Sequence, residues 1–437
     1  MKKIFWPKYE LDGGLPRYGL ERMRMYFETW GKTEKDIPPI FHVAGTNGKG
    51  STTAFLKFIL EANGYGVHRF VSPHIVDWNE RIEIGGEIIT DEYANVIAQE
   101  CKEVADSNGL QVSYFEGIFA MAVNAFSQNH ADACVVEVGL GGRLDATNAF
   151  TRGLVSIMTY ISLDHCKTLG DTLELIAIEK AGIIKENCIT VINKQEKEAM
   201  DVFLEIAEER HNRVYAYGRD FLTTKTKDGF IFEGFGKKIE LPMPNLNGEH
   251  QIDNAAGAIA ALLSQNELAI SDNAIKEGLK NAKWIGRLQN MSNSKLKKYL
   301  PVNAELIIDG AHNDSGAYSL RKWLLTENNK HAKTNILIVS MLERKDSRLF
   351  IENLEKCFDF VLTCSMDNED KSKSPNRFKK EFIENGWDEN KVFAINGNFI
   401  EALKHIENIK SDNLRIVISG SLYLMGEVLG FERKETI

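Results

Sequence analysis

The chain is organised around one stretch, His42-Val43-Ala44-Gly45-Thr46-Asn47-Gly48-Lys49-Gly50-Ser51-Thr52, in which an apolar run passes into a glycine-rich turn with one lysine. The run from Ile40 to Ala44 predicts a strand, and apolar spacings of three and four from Ser51 to Ala62 predict a helix. Such a turn lets backbone N–H groups surround phosphate oxygens at the helix N-terminus. Lys49 can reach the terminal phosphates. The stretch therefore predicts binding of a nucleoside triphosphate.

The sequence of this turn differs from that of the commonest phosphate loop. That loop has four residues between its first glycine and the Gly-Lys pair. Here only Thr46 and Asn47 intervene, and Gly50 separates Lys49 from Ser51. A chance glycine-rich turn is the alternative, but the strand, the lysine and the helix together favour a nucleotide site.

Composition narrows the class of protein. A length of 437 residues allows two or three domains, and a net charge of -9 argues against a surface that coats nucleic acid. The six cysteines include no Cys-x-x-Cys pair, which favours buried reduced thiols over disulfides or a zinc site. The sequence shows neither a signal peptide nor an apolar run of membrane-spanning length. A cytoplasmic enzyme fits these features.

Polar side chains interrupt or follow further apolar strands. Ser72 follows one strand, Glu137 breaks the strand at residues 133–138, and His165 follows another at residues 155–161. Turn, cap or surface roles are the simpler interpretations of Ser72 and His165. A carboxylate such as Glu137 in an apolar strand must either lie at the end of the strand or meet a cation, and magnesium bound to nucleotide phosphates would supply one. Ligands gather at the carboxyl ends of parallel strands, so we expect the three side chains at one sheet edge.

Two later segments have both structural and functional interpretations. The loop Gly139–Asn148 packs an arginine, an aspartate, a threonine and an asparagine between glycines, which flexibility alone does not explain. Lys180 lies on a helix predicted from Thr172 to Ile184. Composition alone favours a surface lysine there, paired with a neighbouring glutamate. Asn254, near the start of an alanine-rich helix, either belongs to a buried helix or contacts a purine.

A polar stretch without periodicity, Asn290 to Lys298, indicates a domain boundary. We place the first domain at residues 1–290 and the second at residues 291–437, and we expect a ligand cleft between these two α/β domains. In the second domain, strands alternate with helices, the pattern of a doubly wound α/β fold. The predicted strands are Glu305–Asp309, Asn335–Ser340, Phe360–Cys364, Lys391–Ile395 and Leu414–Ser419.

Short segments along nearly the whole chain resemble, in order, the motifs of the folylpolyglutamate synthase/dihydrofolate synthase family. That family belongs with the muramyl ligases, which form amide bonds using ATP. The segments are Gly45–Ser51, Ser72–His74, Tyr114–Glu116, Glu137 with Gly139–Asn148, Leu163–His165, Glu179–Ile183, Arg287, Asp309–Asn313 and Ser419–Leu422.

The resemblance implies a P-loop ATPase-type α/β domain followed by a Rossmann-like α/β domain, with the active site in the cleft between them. It implies ATP contacts at Thr46, Asn47, Gly48, Lys49, Gly50, Ser51, Asn254, Arg287, Asp309 and His312. It implies magnesium ligands at Ser72, Glu137 and His165, two Mg²⁺ ions and a carbamate on Lys180. It implies contacts to a pterin-bearing substrate at Ser113, Tyr114, Phe115, Glu116, Leu144, Asp145 and Ala146, with a contribution from Gly19–Arg22. It implies catalytic roles for Lys49, Lys180, Asp145 and His165.

The chemistry implied by the resemblance is transfer of the γ-phosphoryl group of ATP to a carboxylate, followed by attack of the glutamate amine on the acyl phosphate. The loop around Arg143 to Ala146 and the Ser72–His74 turn look like those of bifunctional bacterial enzymes. We therefore expect a monomer acting on dihydropteroate, tetrahydrofolate and L-glutamate, with no nucleic acid or membrane partner. The alternatives are polyglutamylation only, a muramyl-peptide ligase, and a nucleotide-binding module without catalysis.

Overall fold

The computed structural model describes residues 6–7, 20–367, 372–409, 411 and 413–434. The chain divides into two compact units, the first made of Met1–Asn245 with Gln251–Lys283 and the second of Leu246–His250 with Trp284–Ile437. The boundary predicted after residue 290 thus lies inside the second unit. The second unit begins before residue 290 because a short strand at Gln289–Asn290 pairs with another strand of that unit.

The first unit is built on an eight-stranded, mainly parallel sheet. Its strands are β1 (Ile40–Ala44), β2 (Val67–Phe70), β3 (Ile82–Ile84), β4 (Glu87–Ile88), β5 (Ala133–Glu137), β6 (Val155–Met158), β7 (Ile189–Ile192) and β8 (Arg213–Ala216). Their order is β4-β3-β2-β5-β1-β6-β7-β8. Only β3 and β4 are antiparallel to their neighbours. A separate antiparallel sheet contains β9 (Phe221–Lys225), β10 (Gly229–Gly234) and β11 (Lys237–Pro242).

Helices connect and cover these strands. They are α1 (Leu20–Trp30), α2 (Lys49–Ala62), α3 (Asp91–Ser107), α4 (Tyr114–Gln128), α5 (Cys166–Leu169), α6 (Leu173–Ala181), α7 (Lys197–Glu209), α8 (His250–Ser264) and α9 (Asp272–Asn281). Short 3-10 helices lie at Trp78–Arg81 and Ala146–Asn148. None of the helices in the described ranges is both long and apolar enough to cross a membrane.

Sequence and structure agree on the central strands of this sheet. Every residue of β1, β5 and β6 is buried, as expected for continuous apolar strands in a parallel sheet. α4 begins at Tyr114, ahead of the apolar run that starts at Ile118. Ser113 and Glu116 form a capping box there, which fixes the earlier start.

The second unit contains a six-stranded sheet with the order β12-β13-β17-β14-β15-β16. Its strands are β12 (Gln289–Asn290), β13 (Glu305–Ile308), β14 (Thr334–Val339), β15 (Phe360–Thr363), β16 (Val392–Ala394) and β17 (Leu414–Ser419). Its helices are α10 (Asp314–Lys330), α11 (Arg348–Leu354), α12 (Pro375–Glu384), α13 (Phe399–His405) and α14 (Leu422–Lys434), with 3-10 turns at Lys295–Tyr299, Glu389–Lys391 and Ile406–Asn408. The five predicted strands are confirmed as parallel neighbours, whereas the antiparallel β12 was not predicted.

Candidate active site at the carboxyl ends of four strands

Four adjacent parallel strands, in the order β2-β5-β1-β6, end at the edge where the predicted groups of the first unit lie. Ser72 follows β2, and Glu137 is the last residue of β5. The phosphate loop (Gly45–Ser51) follows β1, and the segment leading to His165 follows β6. The strand order thus places these residues along one sheet edge.

The phosphate loop is anchored by the segment that follows β6. The backbone N–H groups of Thr46 and Asn47 both donate to the Tyr160 carbonyl, at 3.0 and 3.1 Å. The Thr46 hydroxyl donates to the Ser162 carbonyl at 3.1 Å, and the Asn47 amide donates to the Ser162 hydroxyl at 3.0 Å. No side chain in the described part of the chain caps α2, which starts after Gly48. The first N–H groups of α2 are therefore placed to receive an anion.

Two glycines are required by the path of this loop. Gly45 has φ +153°, and a Cβ there would lie 1.8 Å from Thr159 Oγ1. Gly48 has φ +90°, and a Cβ there would lie 2.3 Å from Asn254 Oδ1. The Asn254 amide also donates to Gln251 Oε1 at 3.0 Å, which fixes its orientation. The structure thus places Asn254, a predicted ATP contact, against the phosphate loop.

Two lysines meet at one carbonyl of the phosphate loop. Lys49 Nζ donates to the carbonyls of Gly45 and Thr46, at 3.1 and 3.3 Å. Lys180 Nζ, from the last turn of α6, donates to the same Gly45 carbonyl at 2.9 Å. Burial, and then the nearby charge of Lys49, lowers the pKa of Lys180 to about 7. The protonated fraction of Lys180 therefore falls as pH rises through about 7.

The interpretation of Lys180 as a surface lysine is wrong, because only 4% of this residue is exposed. The neighbouring Glu179 pairs instead with Arg143, whose guanidinium lies 2.7 Å from Glu179 Oε1. The backbone N–H of Arg143 also donates to the Glu179 carbonyl at 2.7 Å. The end of α6 therefore packs on the second glycine loop (Gly139–Asn148), and this packing buries Lys180.

Two of the three predicted metal ligands lie together. The Ser72 N–H points to Glu137 Oε2 at 3.5 Å, and Glu137 is buried. His165 stands on the same edge in a left-handed backbone conformation, φ 54°, with 37% of its side chain exposed. Its Nε2 lies 3.9 Å from Asp164 Oδ1. Within the described ranges no three His, Cys, Asp or Glu residues gather as a metal cluster.

A buried arginine that was not predicted lies beside Ser72. Arg81 Nη1 donates to the Ser72 hydroxyl at 3.2 Å, and Arg81 Nε donates to His74 Nδ1 at 2.8 Å. Burial, followed by the charge of Arg81, lowers the pKa of His74 to about 4. His74 is therefore a neutral acceptor at pH 7. Because the Arg81 guanidinium also lies 5.7 Å from the Tyr114 ring centroid, this arginine connects the Ser72 turn to α4.

The second glycine loop is held by its own side chains. Asp145 Oδ1 accepts from the Thr147 N–H at 3.0 Å and from the Thr147 hydroxyl at 2.6 Å, and Asp145 Oδ2 accepts from the Leu140 N–H at 2.9 Å. The Asn148 amide donates to the carbonyls of Arg143 and Gly182, at 3.0 and 3.1 Å. These contacts explain why so many polar residues occupy one short loop.

The residues predicted to hold the pterin-bearing substrate share one partly apolar surface. Tyr114, Phe115 and Leu144 are partly buried and pack on the cluster that contains Ala146. Phe115 Cζ lies 2.5 Å from where a Cβ on Gly139 would stand, so its ring covers the second glycine loop. The structure therefore brings the start of α4 and this loop together.

Glu116, another predicted substrate contact, has structural partners. Its Oε2 accepts from the Ser113 N–H at 2.7 Å in the capping box, and its Oε1 pairs with Arg22 at 2.8 Å. This ion pair joins α1 to the start of α4. Gly19, named with Arg22 for the substrate, lies outside the described residues.

The three predicted ATP contacts of the second unit lie close together. Asp309 is buried after β13 and accepts from the N–H groups of Leu288 and Ala311, both at 2.9 Å. Burial raises the pKa of Asp309, and the charge of Arg287 opposes this rise. The Arg287 guanidinium reaches the backbone at Gly310. His312 Nδ1 forms a hydrogen bond with the Gly310 carbonyl at 2.8 Å.

Comparison with known proteins places the chain in a family. The model of the Mur ligase middle domain matches residues 43–262, and that of the dihydrofolate synthetase C-terminal domain matches residues 292–431. A dihydrofolate synthase/folylpolyglutamate synthase from Bacillus subtilis is 34% identical over 427 residues, which cover 94% of each chain. This chain belongs to the dihydrofolate synthase/folylpolyglutamate synthase family.

Solved structures extend this family likeness across both units. An Escherichia coli FolC in complex with DHPP and ADP superposes with a TM-score of 0.86 at 26% identity, over 98% of this chain and 96% of the other. A bifunctional enzyme from Yersinia pestis, complexed with AMPPNP and a Mn ion, gives a TM-score of 0.83 at 27% identity, over 97% and 95%. The predicted fold class is confirmed, and the chain is an ATP-dependent ligase of the Mur type.

Proposed function

We propose that this enzyme joins L-glutamate to dihydropteroate and to tetrahydrofolate, each through an acyl phosphate made with ATP. The observation that carries the proposal is the meeting of Lys49 and Lys180 at the phosphate loop in a member of this family. The bifunctional names of the B. subtilis and Y. pestis relatives support both acceptors. The cytoplasmic location and monomeric state remain predictions.

The phosphate loop and Lys49 supply the phosphoryl-transfer half of the reaction. A carboxylate resists attack by an amine because its oxygen is a poor leaving group, whereas phosphate leaves readily. The α2 N-terminus and Lys49 favour the charge that spreads over the γ-phosphoryl group during transfer. We assign Thr46, Asn47, Gly48, Gly50, Ser51 and Asn254 to the nucleotide on the same grounds. The glutamate amine then attacks the acyl carbon, forming the amide as phosphate leaves.

Ser72, Glu137 and His165 are the residues that would hold Mg²⁺. A buried carboxylate beside a serine suits a hard cation that completes its shell with water and phosphate oxygens. A magnesium ion held there would neutralise phosphate charge, and the AMPPNP and Mn complex of the Y. pestis relative supports a divalent ion. We expect two ions. His165 is also proposed to act in catalysis.

Lys180 is proposed to carry a carbamate. A neutral lysine amine attacks carbon dioxide and loses one proton, which leaves an anionic carbamate. The buried position of Lys180, where its pKa falls to about 7 through burial and the charge of Lys49, supplies that neutral amine. The carbamate would place a negative charge beside Lys49 and close to the proposed magnesium site.

The carbamate makes a testable prediction. Because the neutral amine reacts, the carbamylated fraction at fixed carbon dioxide should rise as pH rises through about 7. Carbon-13 NMR with labelled bicarbonate measures this fraction. Lys180→Ala should lose most activity, by roughly a hundredfold, and recover part of it with formate or acetate. A fully active variant would remove Lys180 from the mechanism.

The acceptor is assigned to the surface shared by α4 and the second glycine loop. Tyr114, Phe115 and Leu144 offer an apolar face for a flat ring, and Asp145 and Ala146 lie in the adjoining loop. Ser113 and Glu116 fix the start of α4. Arg287, Asp309 and His312 of the second unit are proposed to contact ATP.

The proposal is tested by ADP release with magnesium, ATP and glutamate. Dihydropteroate, tetrahydrofolate and no acceptor are compared, and the products are weighed by mass spectrometry. A gain of one glutamyl unit on both acceptors is expected. Activity with tetrahydrofolate alone would restrict the enzyme to polyglutamylation. ADP release without any glutamyl product would contradict the proposal and reopen the muramyl-ligase alternative.

A further inference from the structure

A hydrogen-bonded chain of three buried side chains crosses from the phosphate-loop strand to the second glycine loop. His42, in β1, has its Nε2 2.9 Å from the Thr147 hydroxyl. That hydroxyl donates to Asp145 Oδ1 at 2.6 Å. All three residues are at most 6% exposed. His42 lies close to Gly45 in sequence, so the chain joins the base of one functional loop to the other.

The direction of each proton in this chain follows from the groups involved. Burial raises the pKa of Asp145, but the hydrogen bonds that both of its oxygens accept, from the Leu140 and Thr147 N–H groups and the Thr147 hydroxyl, oppose that rise and make its carboxyl group the acceptor of the chain. A hydroxyl has one proton, and that of Thr147 goes to Asp145. His42 Nε2 must therefore donate to the Thr147 oxygen. Burial and then the charge of Lys185 lower the pKa of His42 to about 3, so its ring is neutral with the proton on Nε2.

We propose that His42 is a positioning residue for acceptor binding, which orients the Thr147 hydroxyl and through it the Asp145 carboxylate that shapes the second glycine loop. The inference rests on the proposed function, in that this loop binds the pterin-bearing acceptor through Leu144, Asp145 and Ala146. His42 is not a catalytic residue. Through its N–H group, His42 joins β1, the strand before the phosphate loop, to the second glycine loop, which is proposed to bind the acceptor.

A histidine that only fills the core would act through its volume. A positioning histidine acts through one N–H group at a defined position. Substitutions that keep this donor should therefore preserve amide protection and acceptor KM, whereas substitutions that keep only the side-chain volume should not. Glutamine can present its amide N–H near the position of His42 Nε2, whereas leucine cannot donate. At the next link, Thr147→Ser keeps the hydroxyl, whereas Thr147→Val keeps the shape and removes it.

The structural part of the proposal is tested without any assay of activity. Nitrogen-15 NMR of the full chain with labelled histidine should show His42 protonated at Nε2 and bare at Nδ1. The Leu140 amide, which donates to Asp145, should exchange its hydrogen about tenfold faster in His42→Leu and at nearly the wild-type rate in His42→Gln. A proton on Nδ1, or equal exchange in both variants, would overturn the inference.

The functional part is tested by steady-state kinetics on the same variants. His42→Leu and Thr147→Val should each raise KM for dihydropteroate and tetrahydrofolate by about tenfold, because each leaves a buried polar group without its hydrogen-bond partner and so weakens the acceptor site. KM for ATP should stay within about twofold, and His42→Gln and Thr147→Ser should restore most of the loss. The double variant His42→Leu with Thr147→Val should raise acceptor KM little more than either single variant, since both remove the same His42–Thr147 hydrogen bond.

The outcomes separate this inference from the proposed function. If wild-type enzyme forms no glutamyl product, the proposed function fails and amide exchange still decides whether His42 holds the loop. If the wild type is active and both donor-less variants keep the wild-type acceptor KM, the inference fails alone. Should His42→Leu not fold, the Thr147→Val and Thr147→Ser pair gives the same decision at the second link.

Discussion

The two glycine-rich loops of the first unit follow adjacent parallel strands but are held in opposite ways. The phosphate loop is fixed from outside, by the carbonyls of Tyr160 and Ser162 and by the close approach of Thr159. The second glycine loop is fixed mainly by its own polar side chains, with Asp145 accepting within the loop and Asn148 also donating to the Gly182 carbonyl after α6. One loop therefore keeps its helix N-terminus for a ligand, whereas the other uses polar side chains to hold a shape.

The same contrast separates α2, which begins in the phosphate loop, from α4, whose first turn packs against the second glycine loop. α2 has no capping side chain in the described chain, and α4 has a complete capping box from Ser113 and Glu116. The capping side chains satisfy N–H groups at the start of α4, whereas an uncapped N-terminus leaves those groups for water or a bound anion. We therefore expect substitutions in the phosphate loop to weaken nucleotide binding and turnover, and substitutions in the second glycine loop to lower stability and acceptor affinity.

The largest effect is expected from Lys49→Ala. Removing the cation from the phosphate loop should lower kcat/KM by about a thousandfold, because charge on the transferring group loses its stabiliser. The free energy of unfolding should change by less than about 0.5 kcal/mol, because Lys49 is not part of the core. Lys197→Ala, at a lysine whose side chain is 83% exposed, is the matched control and should be silent in both measurements.

Asp145→Ala should affect stability more strongly than any other change in the second glycine loop. It leaves the N–H groups of Leu140 and Thr147 without their acceptor, at a cost of about 3 kcal/mol in the free energy of unfolding. Asp145→Asn keeps one acceptor oxygen and should lose about half as much. Urea unfolding measures the cost and calorimetry measures nucleotide affinity, which should stay unchanged. Wild-type stability combined with lost nucleotide binding would reverse the contrast.

Gly48→Ala isolates what the phosphate loop needs from its glycine. Gly64 has nearly the same φ, +88° against +90°, but a Cβ on Gly64 would meet nothing within 4 Å. Gly64→Ala should therefore cost only the backbone strain, about 1 kcal/mol of stability. Gly48→Ala should cost that amount and also weaken nucleotide binding about tenfold, because its Cβ displaces Asn254. Equal nucleotide affinity in both variants would show that Asn254 moves aside without weakening nucleotide binding.

The smallest effect concerns the capped helix α4. Glu116→Gln keeps the capping box and loses the ion pair with Arg22, so we expect about 0.5 kcal/mol of destabilisation. Glu116→Ala loses both and should cost about 1.5 kcal/mol. Thermal unfolding of the two variants resolves the difference. Identical melting temperatures would mean that the cap contributes nothing to α4.

Much of the fold follows from local patterns in the sequence. Buried parallel strands give continuous apolar runs, so β1, β5 and the five parallel strands of the second unit were predicted close to their observed bounds. The strand β12 was missed because two polar residues carry no periodicity. The phosphate loop was predicted because its glycines, lysine and helix are adjacent in sequence.

The partners of individual charged residues could not be predicted in this way. Lys180 has the sequence context of a surface lysine, and its burial depends on the second glycine loop lying over the end of α6. Arg22 pairs with Glu116 across 94 positions, and Arg81 reaches Ser72 only because a short 3-10 helix turns it back. Such pairings depend on tertiary packing, which no local pattern encodes.

The most direct measurement follows an oxygen-18 label placed in the reacting carboxylate of dihydropteroate or tetrahydrofolate. If the enzyme activates that carboxylate as an acyl phosphate, the attack of glutamate leaves one labelled oxygen in the released phosphate. We predict one label per phosphate and one glutamyl unit gained per acceptor, for both acceptors. Unlabelled phosphate, or labelled phosphate without a glutamyl product, would contradict the assignment of this enzyme as a glutamate ligase for both acceptors.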